Sequence, residues 1–285
     1  MPNPVMPEAV YAEILERTTL TRTGAAYMRG RGIPPEFARD LGFRSIDGPG
    51  GWAALRRHLA GGFTKETLRA AGFPPDDRGR VWIPFGGLLP MVLIPYRQGG
   101  KTVFIRMRTS GPPPGKLLRV IPDWSSRTKR YRSPLDAQPS VPFNADALGR
   151  PTVHAVEGEF NTTTLILPEY GLDAVGTPGA GVFDPAWVPL LAGARVVTWF
   201  DDDHAGDLAR TRLTALFTEV LGAEWVARNL YHMRLPSGAD PNHLHVRGML
   251  APLIHGSPWS SNPSVNPTDS SLPAYRGRLH GEERG

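Results

Sequence analysis

The chain has 285 residues, which is enough for one large domain or for two smaller ones with cores of their own. Lys and Arg outnumber Asp and Glu by 32 to 27, so the net charge of +5 is modest and its distribution matters more than its sum. The absence of cysteine excludes disulfides and Cys-ligated zinc in this chain, and no apolar run reaches the ~18 residues of a membrane span. We therefore expect a soluble, cytoplasmic protein with no membrane partner.

The first half of the chain predicts short helices followed by strands. Residues 25–41 indicate two helical pieces interrupted at "GIPPEF", and residues 53–59 indicate a further helix. Three strand-like runs come next, namely "RVWIPF", "MVLIPY" and "TVFIRMR", and the "RQGG" between the last two predicts a hairpin turn. This half is therefore expected to be a basic α+β subdomain.

Positive charge is concentrated at the end of this half. From Arg97 to Arg132 ten residues are Lys or Arg and one is acidic, with Phe104, Trp124 and Tyr131 interleaved. Charges that neutralise phosphates and rings that stack on bases suit a channel for single-stranded nucleic acid. For any single Lys or Arg a solvated strand face is the simpler interpretation, but the cluster favours a polyanionic partner.

From Pro151 the pattern changes to alternating strands and helices. The strands are "TVHAV", "DAVGT", "ARVVTWF" and "NLYHMRL", with helices predicted around 162–167 and over 207–221. Such alternation predicts an α/β domain with a parallel sheet flanked by helices. We expect four segments: an N-terminal extension (1–20), the basic subdomain (21–150), the α/β domain (151–250) and a disordered Pro/Ser-rich tail (251–285).

Acidic residues follow three of these strands. Glu157 follows "TVHAV", Asp201 and Asp203 follow "VVTWF", and Asp240 follows the last strand. Ligands of open parallel sheets bind beyond the carboxyl ends of the strands, and carboxylates that meet there form a hard-oxygen site for Mg²⁺ or Mn²⁺. The alternative is helix N-capping, for which Asp is also favoured.

These residues carry a resemblance to a known family. "VEGEFN", then "FDDDHAG", then "LPSGADPN" resemble the TOPRIM domain of bacterial, DnaG-type primases. The resemblance implies that Glu157, Asp201 and Asp203 are catalytic, and that these three and Asp240 hold metal. It also marks two departures, since the family carries acids where this chain has Asn161 and Asn242.

Asparagine offers a carbonyl oxygen but no charge, so Asn161 and Asn242 would be weakened metal ligands. Glu159 either compensates for the missing charge or is a solvated surface residue.

The basic half resembles the same family. "AAYMRGRGIPPEFARDLGFRS", the hairpin "VLIPYRQGGKTVFIRMR" and "KRYRSP" are similar to segments that precede the TOPRIM domain. The resemblance implies template or nucleotide contacts by Arg106 or Arg108 and by Lys129 or Arg130. The full set of predicted nucleic-acid and nucleotide contacts is Arg97, Lys101, Arg106, Arg108, Lys129, Arg130 and Arg132.

Together these features predict a primase-like nucleotidyltransferase core of a mobile-element type. It would use nucleoside triphosphates and Mg²⁺ or Mn²⁺, with one or two metal ions, to make primers on single-stranded DNA. Because no cysteine can build a zinc ribbon, we expect no zinc here and a zinc-ribbon or helicase partner that selects the template. The alternatives are a catalytically weakened TOPRIM accessory protein that binds single-stranded DNA, and a TOPRIM nuclease.

Overall fold

The computed structural model describes residues 6–111, 130–179, 183–200 and 204–256. The chain divides into two compact units, Met1–Asp146 and Ala147–Gly285. Within the described ranges no helix is both long and apolar enough to cross a membrane. The segment predicted to be a disordered tail lies almost wholly outside those ranges, and the four predicted segment bounds stay predictions.

The first unit combines helices with an antiparallel sheet. Its elements are α1 (Pro7–Glu16), α2 (Arg22–Arg29), α3 (Pro35–Asp40), β1 (Arg44–Ile46), α4 (Gly48–Gly62), α5 (Lys65–Ala70), β2 (Met91–Gln98), β3 (Lys101–Thr109) and β4 (Tyr131–Arg132). The strands pair in the order β1-β2-β3-β4. The predicted hairpin is confirmed, and its turn residues Gly99 and Gly100 both have positive φ angles, as a two-residue hairpin turn requires.

One predicted strand of this unit is wrong. In "RVWIPF" only Val81 forms a bridge, to Pro75, and Pro84–Gly87 then forms a short 3₁₀ turn. Proline has no N–H to donate to a ladder, and Phe85 and Gly86 have φ angles of 50° and 62°, which turn the chain out of extended geometry. Val81 and Ile83 are nevertheless buried, so this non-strand segment has the apolar composition of a strand.

The second unit is an α/β domain. Its elements are β5 (Thr152–Glu157), α6 (Glu159–Leu165), β6 (Ala174–Thr177), a 3₁₀ segment (Pro185–Leu191), β7 (Arg195–Trp199), α7 (His204–Leu221), α8 (Ala223–Asn229), β8 (Leu230–Met233), α9 (Pro241–Val246) and α10 (Leu250–His255). The four strands are parallel and lie in the order β6-β5-β7-β8. The predicted fold class, a parallel sheet flanked by helices, is confirmed.

Burial explains why the strands of this unit read as continuous apolar runs. Val196, Val197 and Trp199 of β7 are all nearly inaccessible, since helices cover the sheet. One core cluster joins the sheet to α6, α9 and α10 through Leu165, Leu244 and Leu250.

The first helix of the α/β domain begins earlier than predicted, at Glu159 rather than near Thr162. Gly158, with a φ angle of 85°, lets the chain turn directly from β5 into α6. Thr162, Thr163 and Thr164 are buried, and each hydroxyl donates to the carbonyl four residues earlier. These hydrogen bonds satisfy the buried hydroxyls of a threonine run whose sequence only weakly predicts a helix.

Candidate metal centre and candidate nucleic-acid interface

Acidic residues follow the strands on both sides of β7. Glu157 is the last residue of β5, and Asp240 follows β8 as the N-cap of α9. Strand β7 lies between β5 and β8 and ends at Trp199, and Asp201 to Asp203 follow Phe200 in the chain. These three aspartates lie outside the described residues, so the predicted roles of Asp201 and Asp203 remain predictions.

Asp240 has the capping geometry that was the alternative interpretation of the acidic residues. Its Oδ1 accepts a hydrogen bond from the backbone N–H of His243 at 2.7 Å, and Pro241 occupies the first helical position. A carboxylate has a second oxygen, so capping and metal binding do not compete for the same atom. The capping interpretation is therefore correct for Asp240 and compatible with the metal-ligand prediction.

The two asparagines that replace family acids lie in contact. The Nδ2 of Asn161 donates to the carbonyl oxygen of Glu157 at 2.9 Å, and its Oδ1 accepts from the backbone N–H of Asn242 at 3.2 Å. The Nδ2 of Asn242 in turn donates to Oγ1 of Thr164 at 2.9 Å. Both amides are therefore engaged within the protein.

Two further polar residues, Glu159 and His204, lie near the predicted metal ligands in the sequence. Glu159 is fully buried in the first turn of α6, so it is not a solvated surface residue. His204 is the first residue of α7 and is exposed.

The donor chemistry of the described part fits a divalent cation with oxygen ligands. Glu157 and Asp240 are both partly exposed carboxylates, and such hard oxygen groups are the ligands that Mg²⁺ and Mn²⁺ prefer. Among the described residues no three His, Cys, Asp or Glu side chains lie close enough together to hold an ion. The predicted metal site would therefore need ligands from the acidic run after Phe200.

In the first unit, Tyr131 on β4 is shared by two arginines of β3. The guanidinium carbons of Arg106 and Arg108 lie 4.4 and 4.5 Å from the centroid of the Tyr131 ring, and Arg108 also hydrogen-bonds the Tyr131 hydroxyl. Arg106 and Arg108 are two positions apart on one strand, so their side chains leave the sheet on the same face. The structure therefore assembles these predicted residues around one ring.

The pair Tyr27 and Arg31 extends this group, although neither was predicted as a contact. The Arg31 guanidinium lies 5.2 Å from the centroid of the Tyr27 ring and donates from Nε to its hydroxyl at 2.9 Å. On the other side, the Arg108 guanidinium carbon lies 5.8 Å from the Tyr27 ring. The signal in the sequence was the i, i+4 spacing of an aromatic and a basic residue at the end of a helix.

Burial separates the roles of the two β3 arginines. Arg108 is 9% exposed, whereas Arg106 is more accessible. Burial disfavours the charged form of Arg108, but Tyr131 and Tyr27 outweigh burial and raise the pKa of the guanidinium. Arg108 is thus a buried, charged residue, and Arg106 is the more accessible of the two.

The other predicted basic residues are distributed along the same sheet. Arg97 and Lys101 flank the β2–β3 turn, and Arg97 packs against Gly42, where an added Cβ would lie 2.1 Å from its Nη2. Arg132 is on β4 with its guanidinium carbon 4.3 Å from the centroid of the Phe85 ring, and burial lowers the pKa of that guanidinium. Arg130 directly precedes β4, and Lys129 lies outside the described residues.

Comparison with known proteins shows a shared fold. No protein-family model matches the chain, and no curated protein sequence matches it. Solved structures do match with TM-scores above 0.6. The RNA polymerase domain of the Mycobacterium tuberculosis primase DnaG has a TM-score of 0.66 at 21% identity, over 87% of this chain and 81% of the other.

Two other primase structures are similar. The zinc-binding and RNA polymerase domains of the Aquifex aeolicus primase have a TM-score of 0.67 at 19% identity, covering 88% of this chain and 60% of that one. A DnaG primase catalytic domain bound to single-stranded DNA has a TM-score of 0.62 at 19% identity, with coverages of 86% and 76%. The chain therefore has the fold of DnaG-type primase catalytic cores.

Proposed function

We propose that this chain is a primase-like nucleotidyltransferase core that synthesises primers on single-stranded DNA. The observation that carries the proposal is the placement of carboxylates after strands on both sides of β7, in a chain with the fold of primase catalytic cores. Fold alone would leave the chemistry open, because one fold hosts many functions. Carboxylates at the carboxyl edge of the sheet support a reaction that is assisted by Mg²⁺ or Mn²⁺.

In this proposal the α/β domain holds the cation and the incoming nucleoside triphosphate. The protein ligands of the cation would be Glu157, Asp201, Asp203 and Asp240. The first three of these would also be the catalytic residues. The bound ion would supply charge neutralisation on the phosphates and a lowered pKa for the primer 3′-hydroxyl. The protein groups would hold the phosphates and the hydroxyl in line, which is most of what phosphoryl-transfer enzymes contribute.

The basic subdomain would bind the template strand. Arg106 presents a guanidinium that is stacked on Tyr131 and therefore restricted in its motion, so it loses little conformational entropy when it binds a phosphate. Three further arginines lie nearby in the same subdomain: Arg132 on β4, Arg130 just before β4, and Arg31 just after α2. A single-stranded DNA complex of a structure with the same fold supports this assignment.

Template selection would come from a second protein. The chain contains no cysteine with which to build a zinc ribbon, whereas one structure of the same fold includes a zinc-binding domain. A zinc-ribbon or helicase partner in the replication of a mobile element is the context that we propose. Mixing the chain with candidate zinc-ribbon proteins, and measuring whether product then starts at defined template positions, would test it.

The decisive experiment measures incorporation of labelled nucleotides on unprimed single-stranded DNA with Mg²⁺ or Mn²⁺. We expect short products from the wild type and none from Asp201→Ala/Asp203→Ala. A matched control is Asp173→Ala, which removes an acid just before β6, at the opposite edge of the sheet, where it lies 3.5 Å from Nε of Arg150. That control should retain synthesis.

Other outcomes would identify the alternatives. Salt-sensitive binding of single strands without synthesis, even with a zinc-ribbon protein present, would indicate the weakened accessory protein. Metal-dependent degradation of an end-labelled single-stranded template, in a parallel reaction without nucleotides, would indicate the nuclease.

A further inference from the structure

The side chain of Asn161 forms a bridge between two backbone segments of the α/β domain. Its Nδ2 donates to the Glu157 carbonyl, and its Oδ1 accepts from the Asn242 N–H. A backbone carbonyl only accepts and a backbone N–H only donates, so these partners also determine which amide atom is which. The orientation of the Asn161 amide is thereby set by the fold.

A second amide secures the far side of this bridge. Asn242 is 5% exposed and donates from Nδ2 to Oγ1 of Thr164, whose hydroxyl donates to the carbonyl of Phe160. The start of α9 is thus joined to α6 at two points. Hydrogen bonds in such a partly buried polar network favour one arrangement, because an alternative arrangement has to replace them.

The bridge connects the two carboxylates that flank β7. Glu157 ends β5, and Asp240 is two residues before Asn242. Strands β5 and β8 are not neighbours in the sheet, since β7 lies between them. No ladder hydrogen bond therefore joins β5 to β8. The side chain of Asn161 instead links the end of β5, at Glu157, to the start of α9, just after Asp240.

We infer that Asn161 is a positioning residue that holds Glu157 and Asp240 in register for a cation and does not itself bind the ion. The inference rests on the proposed function, because it needs a divalent cation at the carboxyl edge. A neutral amide suits this role: it adds no negative charge to a group of carboxylates. An aspartate at position 161 would instead turn an acceptor toward the Glu157 carbonyl and lose the donated bond.

Two measurements on the full-length chain test this inference. The first is hydrogen exchange of the Asn242 backbone amide by NMR, in EDTA and with saturating Mg²⁺. The second is the Mn²⁺ dissociation constant by electron paramagnetic resonance for wild type, Asn161→Ala and Asn229→Ala. Asn229 is a matched control because its Nδ2 also donates to the carbonyl four residues earlier, that of Trp225, on α8.

We expect the Asn242 amide of the wild type to stay protected when Mg²⁺ is added. Asn161→Ala should speed its exchange and weaken Mn²⁺ binding by about 10- to 100-fold, which is the usual effect of removing a group that orients metal ligands. Asn229→Ala should change neither measurement. A role in stability alone would not alter the affinity for Mn²⁺.

Three results would overturn the inference. Faster exchange of the Asn242 amide in the wild type with Mg²⁺ would mean that the Asn161 oxygen had left its partner to bind the ion, and this arm needs no variant that might misfold. An Asn161→Ala chain with wild-type affinity for Mn²⁺ would show that the bridge positions nothing. A wild type that binds no Mn²⁺ would overturn the proposed metal site as well, and only that result does so.

Discussion

The indole Nε1–H of Trp199 donates to Nδ1 of His154 at 2.9 Å, from one strand of the parallel sheet to its neighbour. A ring nitrogen that accepts a hydrogen bond carries no proton, so His154 is neutral in the folded protein with its proton on Nε2. Both side chains are buried, and this neutral hydrogen bond links β5 to β7 without placing a charge in the core.

This arrangement predicts that stability falls in mild acid. Burial lowers the pKa of His154 from 6.5 to about 4. Between pH 6.5 and about pH 4, His154 is therefore protonated in the unfolded chain and neutral in the folded chain. The contribution of His154 to the free energy of unfolding is complete above its unfolded pKa. It decreases by about 2 kcal/mol as the pH falls from about 7.5 to about 5. NMR of the His154 ring should show the neutral form throughout this range. A ring that titrates near 6.5 in the folded state, as it should in urea, would contradict the prediction.

Substitutions at Asp240 should separate capping from metal binding. Asn caps helices as well as Asp does, so Asp240→Asn should leave the free energy of unfolding within about 0.5 kcal/mol of wild type while weakening Mn²⁺ binding. Asp240→Ala should weaken Mn²⁺ binding and also cost about 1 kcal/mol of stability, because the His243 N–H loses its acceptor. Urea unfolding in EDTA and Mn²⁺ titration measure the two effects. Unchanged Mn²⁺ affinity in Asp240→Asn would exclude Asp240 as a ligand.

Arg106→Ala should weaken binding of single-stranded DNA by about 1 kcal/mol, roughly fivefold, and reduce the dependence of log K on log salt by about 0.7. Fluorescence anisotropy at several salt concentrations measures both. Tyr131→Leu should have a similar effect on affinity, since it removes the ring beneath the Arg106 guanidinium.

Arg195→Ala is a control that removes a positive charge from the first residue of β7. It should leave the affinity and the salt dependence unchanged. Equal losses from Arg106→Ala and Arg195→Ala would mean that net charge, and not the group around Tyr131, determines binding.

Two glycines with nearly the same backbone angle should differ in their tolerance of alanine. Gly72 and Gly79 have φ angles of 75° and 74°, but a Cβ at Gly72 would lie 2.5 Å from Cβ of Pro134 and 2.7 Å from the carbonyl oxygen of Leu135. A Cβ at Gly79 meets nothing within 4 Å. Gly79→Ala should therefore cost about 1 kcal/mol of stability and Gly72→Ala at least about 3 kcal/mol. Similar losses in urea unfolding would contradict the contact at Gly72.

The sequence predicts the α/β half better than the basic half. Buried parallel strands are uniform apolar runs, and the acids at or beyond their carboxyl ends predict the edge of the sheet at which a ligand would bind. The prediction of a strand at "RVWIPF" was wrong because Val81 and Ile83 are buried just before a turn, and periodicity does not distinguish such a segment from a buried strand.

The roles of side chains in the site were harder to anticipate. The contact between Asn161 and Asn242 joins residues that are distant in sequence, through a backbone group that carries no sequence signal. The stack of Tyr27, Arg108 and Tyr131 likewise depends on the pairing of α2 and two strands in space.

The strand order β6-β5-β7-β8 also determines when the site can exist during synthesis. Glu157 leaves the ribosome first, but β5 gains its partner β7 only after β6 has been made, and Asp240 emerges after β8. In the proposed function the carboxylates are therefore made as separate groups on an incomplete sheet, and they can come together only after the last parallel strand has docked. If the proposed cation site exists, a nascent chain cannot assemble it until nearly the whole α/β domain has been translated.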